Sequence, residues 1–114
     1  MKILVAGAGM IGSIVAWELS GDNDVTLFDG STAALKRVGA KEADIELVQG
    51  AVSDGKKLDE LILSNDVVVI ALPGNLAVVV AESALKHKMA VFDISSIPNN
   101  ILLGKVRELA DDNK

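Results

Sequence analysis

The sequence predicts an α/β protein whose parallel sheet is doubly wound, with helices on both faces in three layers. Short β-branched runs alternate with stretches of helical period along the whole chain. Half of the residues are apolar yet only 3% are aromatic, the Val, Ile, Leu and Ala mixture that fills parallel sheets buried on both faces. Gly, Asp, Asn, Ser and Pro fall at the borders of the runs, where turns belong. At 114 residues the chain is expected to form one domain, residues 1–114, around one continuous core.

The first strand is expected over Ile3 to Ala6, followed by a helix from Met10 to Ser20. A second strand follows at Val25 to Phe28, with Ser31 placed to cap a helix over Thr32 to Val38 and Gly39 placed to end it in the left-handed conformation. The third strand spans Ile45 to Val48, and Asp54 is placed to cap a helix over Gly55 to Leu63. The fourth strand, Val67 to Leu72, leads to a helix over Leu76 to Lys88. A fifth strand at Ala90 to Ile94 leads through Pro98 to a last helix over Asn99 to Ala110. Short connections between alternating strands and helices imply right-handed crossovers, and about five strands in the order 3-2-1-4-5.

Charge and composition narrow the partners. A net charge of -5, with Lys and Arg scattered, argues against nucleic acid and anionic membranes, since both call for a cationic surface. Without cysteine there is neither a disulfide nor a thiolate site, and a single histidine, His87, makes no metal cluster alone. The apolar start is broken by Gly7 and Gly9, too early for a signal-peptide core or a membrane span. A cytoplasmic protein is expected.

The informative stretch is KILVAGAGMIG, Lys2 to Gly12, where a buried strand runs into Gly7-Ala8-Gly9-Met10-Ile11-Gly12 and then a helix. This is G-x-G-x-x-G between strand and helix, the fingerprint of dinucleotide-binding Rossmann domains. Gly7 permits the tight turn, Gly9 leaves no Cβ between backbone and pyrophosphate, and Gly12 lets helix and strand pack closely. The amides from Ala8 through Met10 and Ile11 then face the phosphates at a helix N-terminus. A glycine pattern alone is weak, and the discriminating partner is Asp29, which ends the second strand about twenty residues on, where a carboxylate accepts the adenosine ribose hydroxyls. That carboxylate repels a 2′-phosphate, and Gly30 and Ser31 offer no cation to offset it, so NAD is favoured over NADP, with Lys36 and Arg37 the residues in range to reach back.

Ligands in such sheets bind beyond the carboxyl ends of the strands. Val52 is therefore expected on the adenine face, and the main chain of Ala71, Leu72 and Pro73 beside the nicotinamide-side ribose, although Pro73-Gly74 also reads as a plain turn. Asp54 reads first as a cap, Ser95 and Ser96 as turn formers, Trp17 as helix packing, His87 as an exposed helix end, and Asp111 and Asp112 as a solvated tail.

Read together, MKILVAGAGMIGSIVAWELS, DVTLFDGS, VSDGKKLDELI and DVVVIALPGNLAVVVAESALKHKMAVFDIS resemble the N-terminal NAD(P)-binding region of the saccharopine dehydrogenase family over nearly the whole chain. Ala16-Trp17, Ala71-Leu72-Pro73-Gly74 and Phe92-Asp93-Ile94-Ser95 are its most specific stretches, and Ala51 departs from it, standing where the family often has an acidic residue. The resemblance implies an oxidoreductase acting at carbon-nitrogen bonds of amino-acid derivatives. Gly7, Gly9 and Gly12 would then carry the pyrophosphate, Asp29 the ribose and Leu72-Pro73 the nicotinamide side. It further implies that this chain is the N-terminal part of a longer enzyme, whose substrate domain and catalytic residues lie elsewhere. A nucleotide-sensing regulatory domain of the potassium-transport type, TrkA-N or RCK-like, is the competing reading, because it uses the same motif. An edge strand with no outer neighbour also raises the expectation of a homodimer, or of cover by the last helix.

Overall fold

The computed structural model describes residues 1–39 and 44–94. Nine elements follow one another: β1 (Lys2–Ala6), α1 (Met10–Ser20), β2 (Asp24–Asp29), α2 (Thr32–Gly39), β3 (Glu46–Gln49), α3 (Gly55–Leu63), β4 (Val67–Ile70), α4 (Gly74–Lys86) and β5 (Ala90–Asp93). Every strand pair is parallel and the order is β3-β2-β1-β4-β5, as the alternation predicts. Ala6 lies level with both Phe28 and Ile70, so β1 is central and the strand order reverses beside its carboxyl end.

The alternation of side chains along β1 explains the three layers. Leu4 and Ala6 turn to one face, where they meet Leu58 and Ile62 of α3 and Ala77, Val80, Ala81 and Ala84 of α4. Ile3 and Val5 turn to the other, where Ala16 of α1 and Ala34, Leu35 and Val38 of α2 cover them. A strand buried on both faces must be apolar at successive positions, which is why β1 and β4 read as unbroken β-branched and aliphatic runs. Trp17 packs against the α1–α2 side of this core, as expected.

The caps on α2 and α3 are those the sequence suggests. Ser31 Oγ accepts from the Ala34 amide at 3.2 Å, and Asp54 Oδ1 accepts from the Lys57 amide at 3.3 Å. Other boundaries move for local reasons. β4 stops at Ile70, two residues short of Leu72, because its pairing with β1 ends at Ala6, and α4 opens at Gly74, whose positive φ of 55° lets the chain turn straight into the helix. Gly39 is not a left-handed terminator: it is the last residue of α2, and the left-handed glycines among the described residues are Gly7 and Gly74. What Gly39 provides is room, since a Cβ there would stand 2.9 Å from Leu47 Cδ1 of β3. His87 is half-buried rather than exposed, with Nε2 3.2 Å from Asp59 Oδ1 of α3. The expected last helix from Asn99 to Ala110, together with Ser95, Ser96, Pro98, Asp111 and Asp112, lies outside the described residues.

Helix α4 ends in a Schellman arrangement: the Met89 amide donates to Ala84 O at 2.9 Å and the Lys88 amide to Leu85 O at 3.0 Å. The left-handed position is held by Lys88 at φ 57°, where a Cβ is unfavourable. Lys88→Gly is accordingly expected to stabilise the domain by about 0.5–1 kcal/mol, read from the midpoint of urea unfolding. A midpoint that stays or falls contradicts this account of the helix end.

Candidate functional site

Parallel strands bring all their carboxyl ends to one edge, and the chemistry-bearing residues gather there. The strand ladder runs one residue beyond each strand at this edge: the Gly7 amide donates to Phe28 O at 2.8 Å, that of Ala71 to Ala6 O at 2.8 Å, that of Gly50 to Asp29 O at 3.1 Å and that of Ile94 to Ile70 O at 2.9 Å. The β1–α1 turn is thereby clamped between β2 and β4. Gly7 adopts φ 116°, and a Cβ on it would lie 2.3 Å from Ala71 O. A Cβ on Gly12 would lie 1.9 Å from Gly7 O, so this glycine is what seats α1 against the turn. Gly9 differs: nothing stands within 4 Å of where its Cβ would be, so that direction opens outward.

Gly9 is also the N-cap of α1, and no side chain caps the helix. The first bond within this turn is from the Ser13 amide to Gly9 O at 2.9 Å, which leaves the amides of Met10, Ile11 and Gly12 without an intrahelical acceptor. Their dipoles add a partial positive charge at the helix tip. Met10 and Ile11 expose their side chains at 81% and 59%, so these residues offer the site main chain more than packing. The buried Ser13 hydroxyl donates to Ala8 O at 3.0 Å and so fixes the turn from beneath.

Asp29 closes the other side. Its Oδ2 accepts the Ala8 amide at 2.6 Å and its Oδ1 accepts the Ser31 amide at 2.7 Å, which ties the end of β2 to the glycine turn. A carboxylate offers about four lone-pair positions, so two remain for further donors.

Two hollows flank this carboxylate and turn. One, of about 310 Å³, is lined by Phe28, Asp29, Gly30, Gly50, Ala51, Val52, Ser53, Leu72 and Leu76. The other, of about 290 Å³, is lined by Gly9, Met10, Ile11, Gly12, Ala71, Leu72, Pro73 and Ile94. Leu72 borders both. The edge thus brings together Gly9 to Gly12, Asp29, Val52 and Ala71 to Pro73, whereas Asp54 points its carboxylate at its own helix. Sequence reading missed Phe28, Gly30, Gly50, Ser53 and Leu76 as lining. The first four sit at strand ends, where the rule for open parallel sheets would have found them; Leu76 belongs to the first turn of an α4 that begins earlier than its apolar pattern suggests. Among the described residues no three His, Cys, Asp or Glu gather as a metal site, and no helix is long and apolar enough to cross a membrane.

Comparison with known proteins supplies the family. The family model described as the saccharopine dehydrogenase NADP binding domain matches residues 3–114. The chain belongs to this family. A solved apo saccharopine dehydrogenase (L-Glu forming) from Saccharomyces cerevisiae superimposes with a TM-score of 0.77 at 25% identity, over 95% of this chain and 23% of that one. The TrkA-N domain of inner membrane protein ybaL from Escherichia coli shares the fold with a TM-score of 0.73 at 15% identity, over 95% of this chain and 81% of that one. The Trk system potassium uptake protein TrkA of Haemophilus influenzae is 42% identical over 59 residues, 51% of this chain and 13% of that protein. The chain therefore spans about a quarter or less of the saccharopine dehydrogenase and of the potassium uptake protein. It is an NAD(P)-binding domain of the saccharopine dehydrogenase family, on a five-stranded Rossmann-like sheet.

Proposed function

We propose that this domain holds the dinucleotide of a larger oxidoreductase that acts at the carbon-nitrogen bond of an amino-acid derivative. The diphosphate lies on the Met10, Ile11 and Gly12 amides above Gly9. The adenosine ribose bonds Asp29, the adenine rests against Val52, and the nicotinamide side runs past Ala71, Leu72 and Pro73. The observation that carries the reading is the uncapped tip of α1, open above Gly9 and bordered by a carboxylate already oriented by two amides. Fixed N–H groups at a helix N-terminus match a diphosphate in both charge and geometry. When bound, the cofactor supplies the hydride chemistry, and the chain contributes binding and orientation. Catalytic groups and substrate contacts come from the rest of the enzyme. The outer edge of β5 supports that partnership, because Phe92 is 63% exposed there and, among the described strands, β5 pairs with β4 alone. A homodimer across the same edge is the other way to cover it, and light scattering on the domain tells the two apart.

Asp29 favours NAD: an anion beside the 2′ position welcomes a hydroxyl and opposes a phosphate. Calorimetric titration of the domain is expected to give measurable binding of NAD with no turnover of lysine or saccharopine. Asp29→Ala should weaken NAD binding by about tenfold, the loss of roughly 1.4 kcal/mol that one charge-assisted hydrogen bond provides. Unchanged affinity in that variant contradicts the assignment of the ribose.

The 42% identity to a potassium uptake protein supports a second reading, a regulatory domain that senses nucleotide state. Such a module needs differential affinity for its ligands. The titration decides between them: a sensor discriminates strongly among NAD, NADH and ATP as an isolated domain, whereas a cofactor cradle binds both redox states of the dinucleotide and rejects ATP.

A further inference from the structure

We infer that Arg37 and the hollow between α1 and α2 form a subsite for a phosphate monoester at the 2′ position of the adenosine ribose, so that the domain takes NADP as well as NAD; this rests on the dinucleotide reading above. The hollow, about 330 Å³, runs from Ala8 and Gly9 down the α1 face formed by Met10, Ser13 and Trp17, with Arg37 of α2 on the opposite wall. Arg37 is the lone charged residue in that lining, which holds no carboxylate. Among the described residues no carboxylate pairs with the Arg37 guanidinium, so it keeps its donors for a ligand.

Position ties the hollow to the ribose site. Ala8 lines the hollow, and its amide is the group held by Asp29 Oδ2 at 2.6 Å. A ribose bonded to Asp29 therefore places its 2′ substituent at the mouth of the hollow, where a hydroxyl meets the carboxylate and a phosphate can turn toward the guanidinium. Helical side chains slant toward the N-terminus of their helix, and the N-terminus of α2 lies at the edge of the sheet where Asp29 and the turn sit, which directs Arg37 upward along the groove. The amides of Ala8 and Ser31 also draw on the Asp29 charge, which lessens its repulsion of a neighbouring phosphate. A planar guanidinium fork suits a phosphate better than a single ammonium does.

The test is calorimetric titration of wild type, Arg37→Ala and Arg37→Lys with NAD and with NADP, at two salt concentrations. Arg37→Ala is expected to weaken NADP about fivefold to tenfold while NAD stays within about twofold, with Arg37→Lys recovering part of the loss. The wild-type affinity for NADP should also fall more steeply with salt than that for NAD. Equal losses for both nucleotides, no loss for NADP, or a wild type that binds NAD and not NADP each overturn the subsite and leave the dinucleotide reading standing. A wild type that binds neither removes that reading and the subsite with it.

Discussion

Gly12→Ala is expected to cost the domain roughly 3 kcal/mol or more, enough to leave much of the chain unfolded at ordinary temperature. The added methyl would stand 1.9 Å from Gly7 O, 2.9 Å from Gly7 C and 3.2 Å from Ala71 Cβ. The two nearest of these atoms are backbone, and that backbone cannot retreat. Gly7 is held by its bond to Phe28 O, and Ala71 by its bond to Ala6 O, so the turn lies in a vice between β2 and β4. Relief would require α1 to lift from the sheet, giving up the packing of Ala16 against β1 and β2. Urea unfolding checks this directly; an alanine variant with the wild-type midpoint would show that helix and turn have slack that their geometry denies.

Gly9→Asp should do the opposite to stability and something worse to binding. Gly9 has extended backbone, φ -70° and ψ -168°, which any residue adopts, and its Cβ direction is empty. An aspartate there caps α1, accepts from the free first-turn amides and meets the positive end of the helix dipole. A gain of about 0.5–1 kcal/mol is expected. The same carboxylate then occupies the place of the diphosphate and repels it, so affinity for NAD and NADP should fall about a hundredfold, near 2.7 kcal/mol. A more stable protein that has lost its ligand is the signature of a helix end left uncapped for function. Retained binding in the aspartate variant would mean that the diphosphate lies elsewhere.

The contrast between these glycines shows how far the sequence could be read. All three belong to one motif, and its spacing assigned each a separate task that the geometry bears out: the turn at Gly7, the close packing at Gly12 and the open approach at Gly9. The strand order and the bridge from β1 to Asp29 were equally legible, because hydrophobic period and short connections leave few topologies for a parallel sheet. Gly39 was misread because a glycine after a helix can serve either a left-handed turn or a close approach, and only the position of Leu47 on another element decides. His87 was read as exposed because Asp59, 28 positions earlier, meets it only once α3 and α4 lie side by side. The α1–α2 hollow was hidden for a related reason. Arg37 looks like part of a solvated helix face in sequence, and its nearness to Ala8 and Gly9 follows from the packing of two helices on one face of the sheet.

The central claim, that a diphosphate sits on the bare amides opening α1, is tested most directly by titrating the ¹⁵N-labelled domain with NAD or NADP and following each amide by NMR. The largest shifts are predicted at Met10, Ile11 and Gly12, with smaller ones at Ala8 and Ser31 as the ribose reaches Asp29. Saturable binding that leaves those three amides unmoved, or shifts confined to the opposite edge of the sheet, would contradict it.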